Sequence, residues 1–359
     1  MKCERPIDVS IKSGGDKIHL TVGYYNDGSG SDNSWHRKRR VYQGRKSFLV
    51  PCGKCLACKS RRKSQATFRM DCERRFGHIV KHKDGTSSVV RHRNSFFITL
   101  TYADEFVPYS WEYCDRRTGE CFTLLEKQDK PVLFPLHLQN FFKRLRRYYD
   151  SPCSYFAVGE YGDIANTYRP HFHIILYTDM DWKDCKDACR HCWSMECPKS
   201  RIGSSGTFPV NGKYDTWRLS FGRVDVKAVN MRRIRYCAKY VVKDNNDSDV
   251  VPKFARLSKG LGSGFFESSQ ARDVRQSKKL YAFSVDGKKC SLGRYYSHRL
   301  FTKSELQDLV DDFLEKEDFP EGIEGSPDYQ HWYDEKMLDE SLRYQTWKLK
   351  VKSPLFAVF

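Results

Sequence analysis

No run of apolar residues in this chain of 359 is long enough to span a bilayer, and neither a secretory signal nor a lipidation motif is read in it. The expectation is a soluble protein with no membrane role. Missing too is any G-x-x-x-x-G-K-[ST] segment, which excludes a built-in P-loop ATPase and leaves strand separation to another protein. Acidic residues are in short supply: 45 Asp and Glu stand against 63 Lys and Arg, a formal net charge of +18. A surplus of that size favours a polyanionic partner, and with lipid headgroups set aside that partner is nucleic acid. The chain has 14 cysteines, several in C-x-x-C-like clusters. In a large chain without a secretory signal, these fit the reduced thiols of a cytosol better than a disulfide framework.

What is present centres on Arg169-Pro170-His171-Phe172-His173-Ile174-Ile175-Leu176-Tyr177, which reads as a strand with Pro170 at its first position. Side chains alternate along a strand, so His171 and His173 leave one face and Phe172 and Ile174 the other. Two imidazoles on one face are half of a metal site. Upstream, Tyr155 to Glu160 reads as a second apolar strand, and the connection from Tyr161 to Arg169 carries the turn formers Gly162, Asp163 and Asn166. Antiparallel pairing would bring Glu160 beside the histidines. Imidazole plus carboxylate suits Mg²⁺ or Mn²⁺ with positions open to phosphate oxygens, and a structural zinc less well. Taken alone, a His-x-His is equally a pair of surface strand residues. Downstream, Asn230 to Lys243 reads as a helix capped by Asn230, with Ile234, Cys237, Ala238 and Val241 as its apolar stripe. Tyr236 and Tyr240 then stand one turn apart on a shared face, flanked by Lys239 and Lys243. Such a pair is ordinarily core-edge packing; behind a metal-ligand strand in a basic protein it suggests another role.

Together these segments resemble the HUH endonucleases, and among them the two-tyrosine rolling-circle replication initiators of microviruses, of the gokushovirus type. The matching residues are Phe97 to Tyr102, then Arg169-Pro170-His171-Phe172-His173, then Tyr236-Cys237-Ala238-Lys239-Tyr240, with further likeness at Pro51 to Cys55 and Gly293 to Tyr296. Histidines before tyrosines is the order of replication initiators, whereas relaxases carry the tyrosine first. The resemblance implies an α+β fold: an antiparallel central sheet with flanking helices, the ferredoxin-like HUH endonuclease core, with N- and C-terminal additions. It implies nicking of one strand at a phage origin, with Mg²⁺ or Mn²⁺ held by His171, His173 and Glu160. Tyr236 or Tyr240 would attack to leave a 5′-phosphotyrosine and a free 3′-hydroxyl, with Lys239 helping to activate a phenol whose ordinary pKa is about 10. The implied partners are single-stranded or supercoiled phage DNA and the host helicase and polymerase, in the cytoplasm of a bacterial host. Arg169, Lys243, Arg144 and Arg147 are the cations expected on the DNA.

Along the chain, residues 1–90 read as a basic, cysteine-containing N-terminal region, with a basic run from His36 to Arg40. Residues 91–250 read as the endonuclease core with a Cys-rich insertion at 181–215, and residues 251–359 as a C-terminal region that is helical towards its end. Cys52, Cys55 and Cys58 open a helical segment running to Phe76, one thiol short of a closed zinc site. Cys185, Cys189, Cys192 and Cys197 are the better candidates for a structural Zn²⁺, with small buried thiols as the alternative. Leu136 to Tyr149 reads as an amphipathic helix, its Leu138, Phe141, Phe142, Leu145 and Tyr148 inward and its Lys143, Arg144, Arg146 and Arg147 outward. Phe221 to Val226 reads as a short strand feeding the tyrosine helix. Asn245 to Asp249 is a polar break, Thr302-x-x-Glu305 a capping box, and Ser326 to Lys350 a last helix. Cations and rings interleaved in 251–300 suit single-stranded DNA. Two other functions fit parts of this pattern. A transposase or relaxase of the same superfamily would share the metal chemistry, and a non-catalytic zinc-containing nucleic-acid-binding protein would explain charge and cysteines but leave the His-x-His strand and tyrosine pair as coincidences.

Overall fold

The structure, a computed structural model, describes residues 7–14, 17–23, 46–50, 56–109, 111–114, 121–124, 131–149, 152–162, 168–210, 216–241, 253–306 and 308–309. Cys52, Cys55, Lys243, the basic run 36–40, the break at 245–249 and the helix expected over 326–350 lie outside the described residues. Residues 1–62 with 313–359 form one compact unit and residues 63–312 another. In the first, β1 (Ile7–Gly14), β2 (Lys17–Gly23) and β3 (Lys46–Val50) make an antiparallel sheet in the order β2-β1-β3. The helix α1 (Leu56–Phe76) follows, with most of its length in the second unit.

The second unit is α+β with antiparallel sheets. In chain order come the hairpin β4 (His78–Lys81) and β5 (Ser87–Val90), β6 (Asn94–Thr101), and the hairpin β7 (Trp111–Cys114) and β8 (Cys121–Leu124). Next are α2 (Pro135–Tyr148), β9 (Cys153–Tyr161), β10 (Pro170–Thr178) and α3 (Trp182–Cys192). A small sheet follows, made of β11 (Ser194–Glu196), β12 (Thr207–Val210) and β13 (Thr216–Ser220), and then β14 (Val224–Ala228) and α4 (Met231–Lys239). The chain continues through β15 (Phe254–Leu257), α5 (Ser269–Gln276), the hairpin β16 (Tyr281–Phe283) and β17 (Lys289–Ser291), and α6 (Arg294–Leu300). The central sheet runs β14-β6-β10-β9-β15. Its fifth strand, β15, comes from beyond the polar break at 245–249, so the sheet draws on residues on both sides of the expected boundary.

The two faces of this sheet are set by the alternation in β10. Phe172, Ile174 and Leu176 join Ile98, Leu100 and Ala157 in one core, closed by Leu138, Phe141, Phe142 and Leu145 of α2 and by Cys185, Ala188, Cys189, Cys192 and Trp193 in and beside α3. On the other face Ile175 and Tyr177 pack with Phe97, Phe156 and Val158 beneath Met70 of α1 and Ile234, Cys237 and Ala238 of α4. At nine residues, α4 is shorter than isolated helices that persist in water, so burial of that stripe against β10 is what holds it. It ends four residues before the expected Lys243. Tyr240 and Val241 bond back to the carbonyls of Cys237 and Ala238, which tightens the last turn to i→i−3 spacing. The strand expected over 221–226 begins instead at Val224, because Phe221 turns its ring into the aromatic cluster of Tyr102 and Trp193. The capping box is present: the Thr302 amide donates to Glu305 Oε2 and the Glu305 amide to Thr302 Oγ1.

Two expectations about side chains are corrected. Cys185, Cys189 and Cys192 recur at i, i+4 and i+7 and form an apolar helical stripe in the core, while the Cys197 thiol donates to the Pro198 carbonyl. Among the described residues, no cluster of metal-ligand atoms within 4.8 Å of one another includes a cysteine, so the zinc grouping of Cys185, Cys189, Cys192 and Cys197 is not assembled. Cys58 is buried in α1, and its grouping with Cys52 and Cys55 lies outside the described residues. Arg144 does not face outward; it donates to the Cys192 carbonyl at 2.8 Å, and burial, then Arg218, brings its pKa down to about 10.

His137 is a half-buried base in the aromatic cluster, hydrogen-bonded at 2.9 Å to the Tyr102 hydroxyl and stacked on Phe221. Burial, then Arg144, lowers its pKa to about 4. Its neutral form therefore favours the folded state above pH 6.5, and that contribution is lost as pH falls towards 4, where only the unfolded chain takes the proton readily. The expected loss is at most about 3 kcal/mol. In urea unfolding at pH 7 and pH 4.5, His137→Gln should lose less stability between the two conditions than the unsubstituted protein.

Candidate active site

The antiparallel register of β9 and β10 sets Glu160 directly opposite His171 and Val158 opposite His173. All three functional side chains therefore leave the same face, the one that α4 covers. Glu160 Oε1 lies 2.7 Å from His171 Nε2 and 3.0 Å from His173 Nε2. The other nitrogen of each ring is engaged. His171 Nδ1 is 3.1 Å from the Arg169 carbonyl, which only accepts, so Nδ1 carries a proton, and in a neutral ring Nε2 would be bare. His173 Nδ1 is 3.1 Å from Thr99 Oγ1, supplied by the neighbouring strand β6. A bare imidazole nitrogen and a carboxylate oxygen are both acceptors, and at 2.7 Å they are compatible only with a proton or a cation between them. Glu160 Oε2 is buried with no hydrogen-bond partner. The convergence of three ligand atoms within 4.8 Å and this orphaned oxygen fit a bound metal ion.

Local electrostatics agree with that use. Burial opposes the charge on Glu160, but the hydrogen bonds from His171 and His173 outweigh it and hold the carboxyl below its ordinary value. Burial pushes His173 down against the pull of Glu160, keeping it the neutral base that a metal requires.

Both tyrosines rest on His173. Its ring centroid lies 5.3 Å from that of Tyr236, edge-on, and 5.3 Å from that of Tyr240, stacked; the two phenol rings are 5.0 Å apart. The Asn230 side chain accepts from the Arg233 amide and starts the helix, and the buried stripe fixes its rotation, so the tyrosine face is turned to the imidazoles. Burial, then the charge of Glu160, then Tyr236 raises the pKa of the Tyr240 phenol well above its usual value.

Cations surround α4. Lys63 of α1 stands within electrostatic reach of Lys239, Arg235 and Lys288; burial, followed by those three charges, lowers its pKa. Arg235 also pairs with Asp286. Lys288 belongs to the cations expected to suit single-stranded DNA and Thr99 to the first motif, but neither they nor Lys63 and Arg235 were assigned to this site from the sequence, because only the fold brings them to it. Arg169 is held by the Tyr102 carbonyl and by Asp104 at the end of β10, and Arg147 is exposed on α2, across the sheet from the imidazoles.

Residues 95–245, which hold all five side chains of this site, match the family described as replication-associated protein ORF2. The replication-associated protein ORF2 of Spiroplasma virus 4 is 22% identical over 324 residues, covering 88% of this chain and 85% of that protein. The replication-associated protein VP4 of Bdellovibrio phage phiMH2K is 23% identical over 302 residues, 82% and 76% of the two chains. These comparisons support a microvirus rolling-circle replication initiator. The replication-associated protein ORF4 of Chlamydia phage 1 is 24% identical over 270 residues, and the matched part is 71% of this chain and 54% of the phage protein. No solved structure is significantly similar.

The Thr99 hydroxyl orients an imidazole that could ligate a metal ion. Thr99→Val should weaken Mn²⁺ binding roughly tenfold and Glu160→Gln by more, both measured by calorimetric titration.

Proposed function

We propose that this chain is a site-specific single-strand DNA endonuclease and strand transferase that begins and ends rolling-circle replication of a phage genome, on the ferredoxin-like core of HUH endonucleases. The observation that carries this reading is the packing of two phenol rings, one helical turn apart, on an imidazole whose Nε2 faces a shared carboxylate. A divalent cation, Mg²⁺ or Mn²⁺, held by His171, His173 and Glu160 would supply positive charge to polarise the scissile phosphate and to lower the pKa of a nearby phenol.

The residues of the chain do the rest. Tyr236 or Tyr240 provides the attacking oxygen; its bond to phosphorus forms as the bond to the 3′ oxygen breaks, leaving a 5′-phosphotyrosine and a 3′-hydroxyl that primes synthesis. Because one phosphodiester is exchanged for another, no ATP is needed. The second tyrosine, sharing contact with His173, attacks the regenerated origin while the first still holds the old end. Lys239, with Lys63, Arg235 and Lys288 around it, provides positive charge for the DNA backbone and for activating the phenol. Arg169, beside the metal strand, and Arg147 are further candidates for phosphate contact. The place of action is the host bacterial cytoplasm, with unwinding and synthesis left to the host helicase and polymerase; among the described residues no helix is long and apolar enough to cross a membrane.

Incubated with Mn²⁺ or Mg²⁺ and a single-stranded origin oligonucleotide, the protein should form a denaturant-stable adduct. His171→Ala should abolish it, and peptide mapping should place the DNA on Tyr236 or Tyr240. No adduct on origin-containing DNA, or an undiminished one in His171→Ala, would sink the proposal. Joining to a transposon end in preference to an origin would favour the transposase reading. Loss of a single phosphate contact in Lys63→Gln or Lys288→Gln should weaken DNA binding about equally for all sequences. It should also reduce the slope of log K against log salt by about one, measured by fluorescence anisotropy over a salt series.

A further inference from the structure

Glu73, His78 and His92 form a second cluster whose ligand atoms, one from each residue, lie within 4.8 Å of one another. Neither the metal strand nor the tyrosine helix contributes to it. Glu73 sits near the C-terminal end of α1, His78 opens β4, and His92 lies in the connection from β5 to β6. Ser154 of β9 ties the cluster to the central sheet by donating to Glu73 Oε1. Ser154 and Glu160 are six residues apart on one strand and share a face, so the two clusters occupy opposite ends of the same face, about 20 Å apart.

The second cluster repeats the donor set of the first, two imidazoles and a carboxylate, and its hydrogen bonding leaves a gap of the same kind. Glu73 is buried, and its ion-pair partner among the described residues is His78, whose Nδ1 is 2.7 Å from Oε1. Oε2 accepts from the Gly262 amide, which reaches it from a left-handed turn (φ +72°). A Cβ at that position would lie 2.6 Å from the Tyr296 hydroxyl and 2.7 Å from the Arg69 carbonyl, so only glycine brings its amide that close. His92 decides the matter. Its side chain is 1% exposed, its Nδ1 faces Asp179 Oδ2 at 3.4 Å, and its Nε2 is buried with no hydrogen-bond partner. A carboxylate on one imidazole nitrogen fixes the tautomer and presents the other as a bare lone pair, the arrangement of a histidine that ligates a metal.

We infer that Glu73, His78 and His92 bind a first-row divalent transition metal, with Zn²⁺ as the probe ion. Two imidazoles and one carboxylate in a buried setting are donors that such ions take, and they leave a position for water. The ion links the end of α1, the β4–β5 hairpin and the entry to β6, and its role is to hold those segments together, not to act on DNA. The inference does not rest on the nicking reading.

The test uses the full chain with the first triad disabled. After loading with Zn²⁺ and gel filtration, the His171→Ala/His173→Ala protein should retain one equivalent of zinc by elemental analysis. Its Co²⁺-substituted form should show visible d–d absorption without a near-ultraviolet thiolate-to-cobalt band. Adding His92→Gln should remove that equivalent. Asp179→Asn, a change at a half-exposed side chain outside the triad, should weaken binding roughly 10- to 100-fold and serves as the test if His92→Gln does not fold. A folded His171→Ala/His173→Ala protein that carries no ion would overturn the inference, as would an ion that survives both His92→Gln and Asp179→Asn, or a thiolate band placing the metal on cysteine.

Discussion

The site depends on one demanding contact: the carboxylate of Glu160 set against two imidazole nitrogens at hydrogen-bond distance, where a proton or a cation has to lie between them. The register of β9 and β10 puts Glu160 across from His171, and the Arg169 carbonyl and Thr99 hydroxyl occupy the far nitrogen of each ring. Acceptors held this close repel unless something positive lies among them, and the backbone ladder on both sides prevents them from moving apart. The sheet is thus a rigid frame that keeps an electrostatic demand unsatisfied in the protein alone. A frame of that kind is what a metal site needs, because the ligands do not have to be gathered when the ion arrives.

The same frame places the tyrosines. With nine residues, α4 owes its existence to Ile234, Cys237 and Ala238 packing on Ile175, Tyr177 and Val158; Ile175 and Tyr177 continue the face of His171 and His173 at every second position, and Val158 lies directly opposite His173 and two residues before Glu160. Core packing and site geometry are therefore set by the same face of the same two strands. A change that loosened the stripe would move the phenols as well, so stability and position are coupled here more tightly than in a site carried on loops.

Much of this was legible in the sequence because it is local and periodic. The alternation of His171, Phe172, His173 and Ile174 gives the faces; the turn formers between Tyr161 and Arg169 give the pairing; the stripe after Asn230 gives the helix and its tyrosine face. What escaped was of two kinds. Contacts between residues far apart in the chain, such as Thr99 with His173, Lys63 with Lys239, and the Glu73 cluster, leave no periodic trace. Cysteine spacing was the other. Cys185, Cys189 and Cys192 look like ligands when counted along the chain, but intervals of four and three on a helix are the intervals of a buried stripe, and a thiol packs there as a small apolar group. Arg144 misled for a related reason: its place on the outer part of an amphipathic helix said nothing of the open carbonyls at the end of α3, which drew its guanidinium inward.

Burial acts in opposite directions on the groups that face the metal position, and this sets an order of events. It raises the pKa of the Tyr240 phenol and lowers that of His173, so both are kept uncharged, while hydrogen bonds keep Glu160 ionised despite burial. The fixed charge at the bottom of the site is therefore negative, and a DNA phosphate entering next to it would meet repulsion. The cations Lys63, Arg235, Lys239 and Lys288 draw the backbone towards α4, while the groups that act on Glu160 are its two histidines. Positive charge has to reach the carboxylate before the phosphate can settle against the phenols. In the proposed reaction the cation is thus a condition for productive DNA binding as well as for the chemistry.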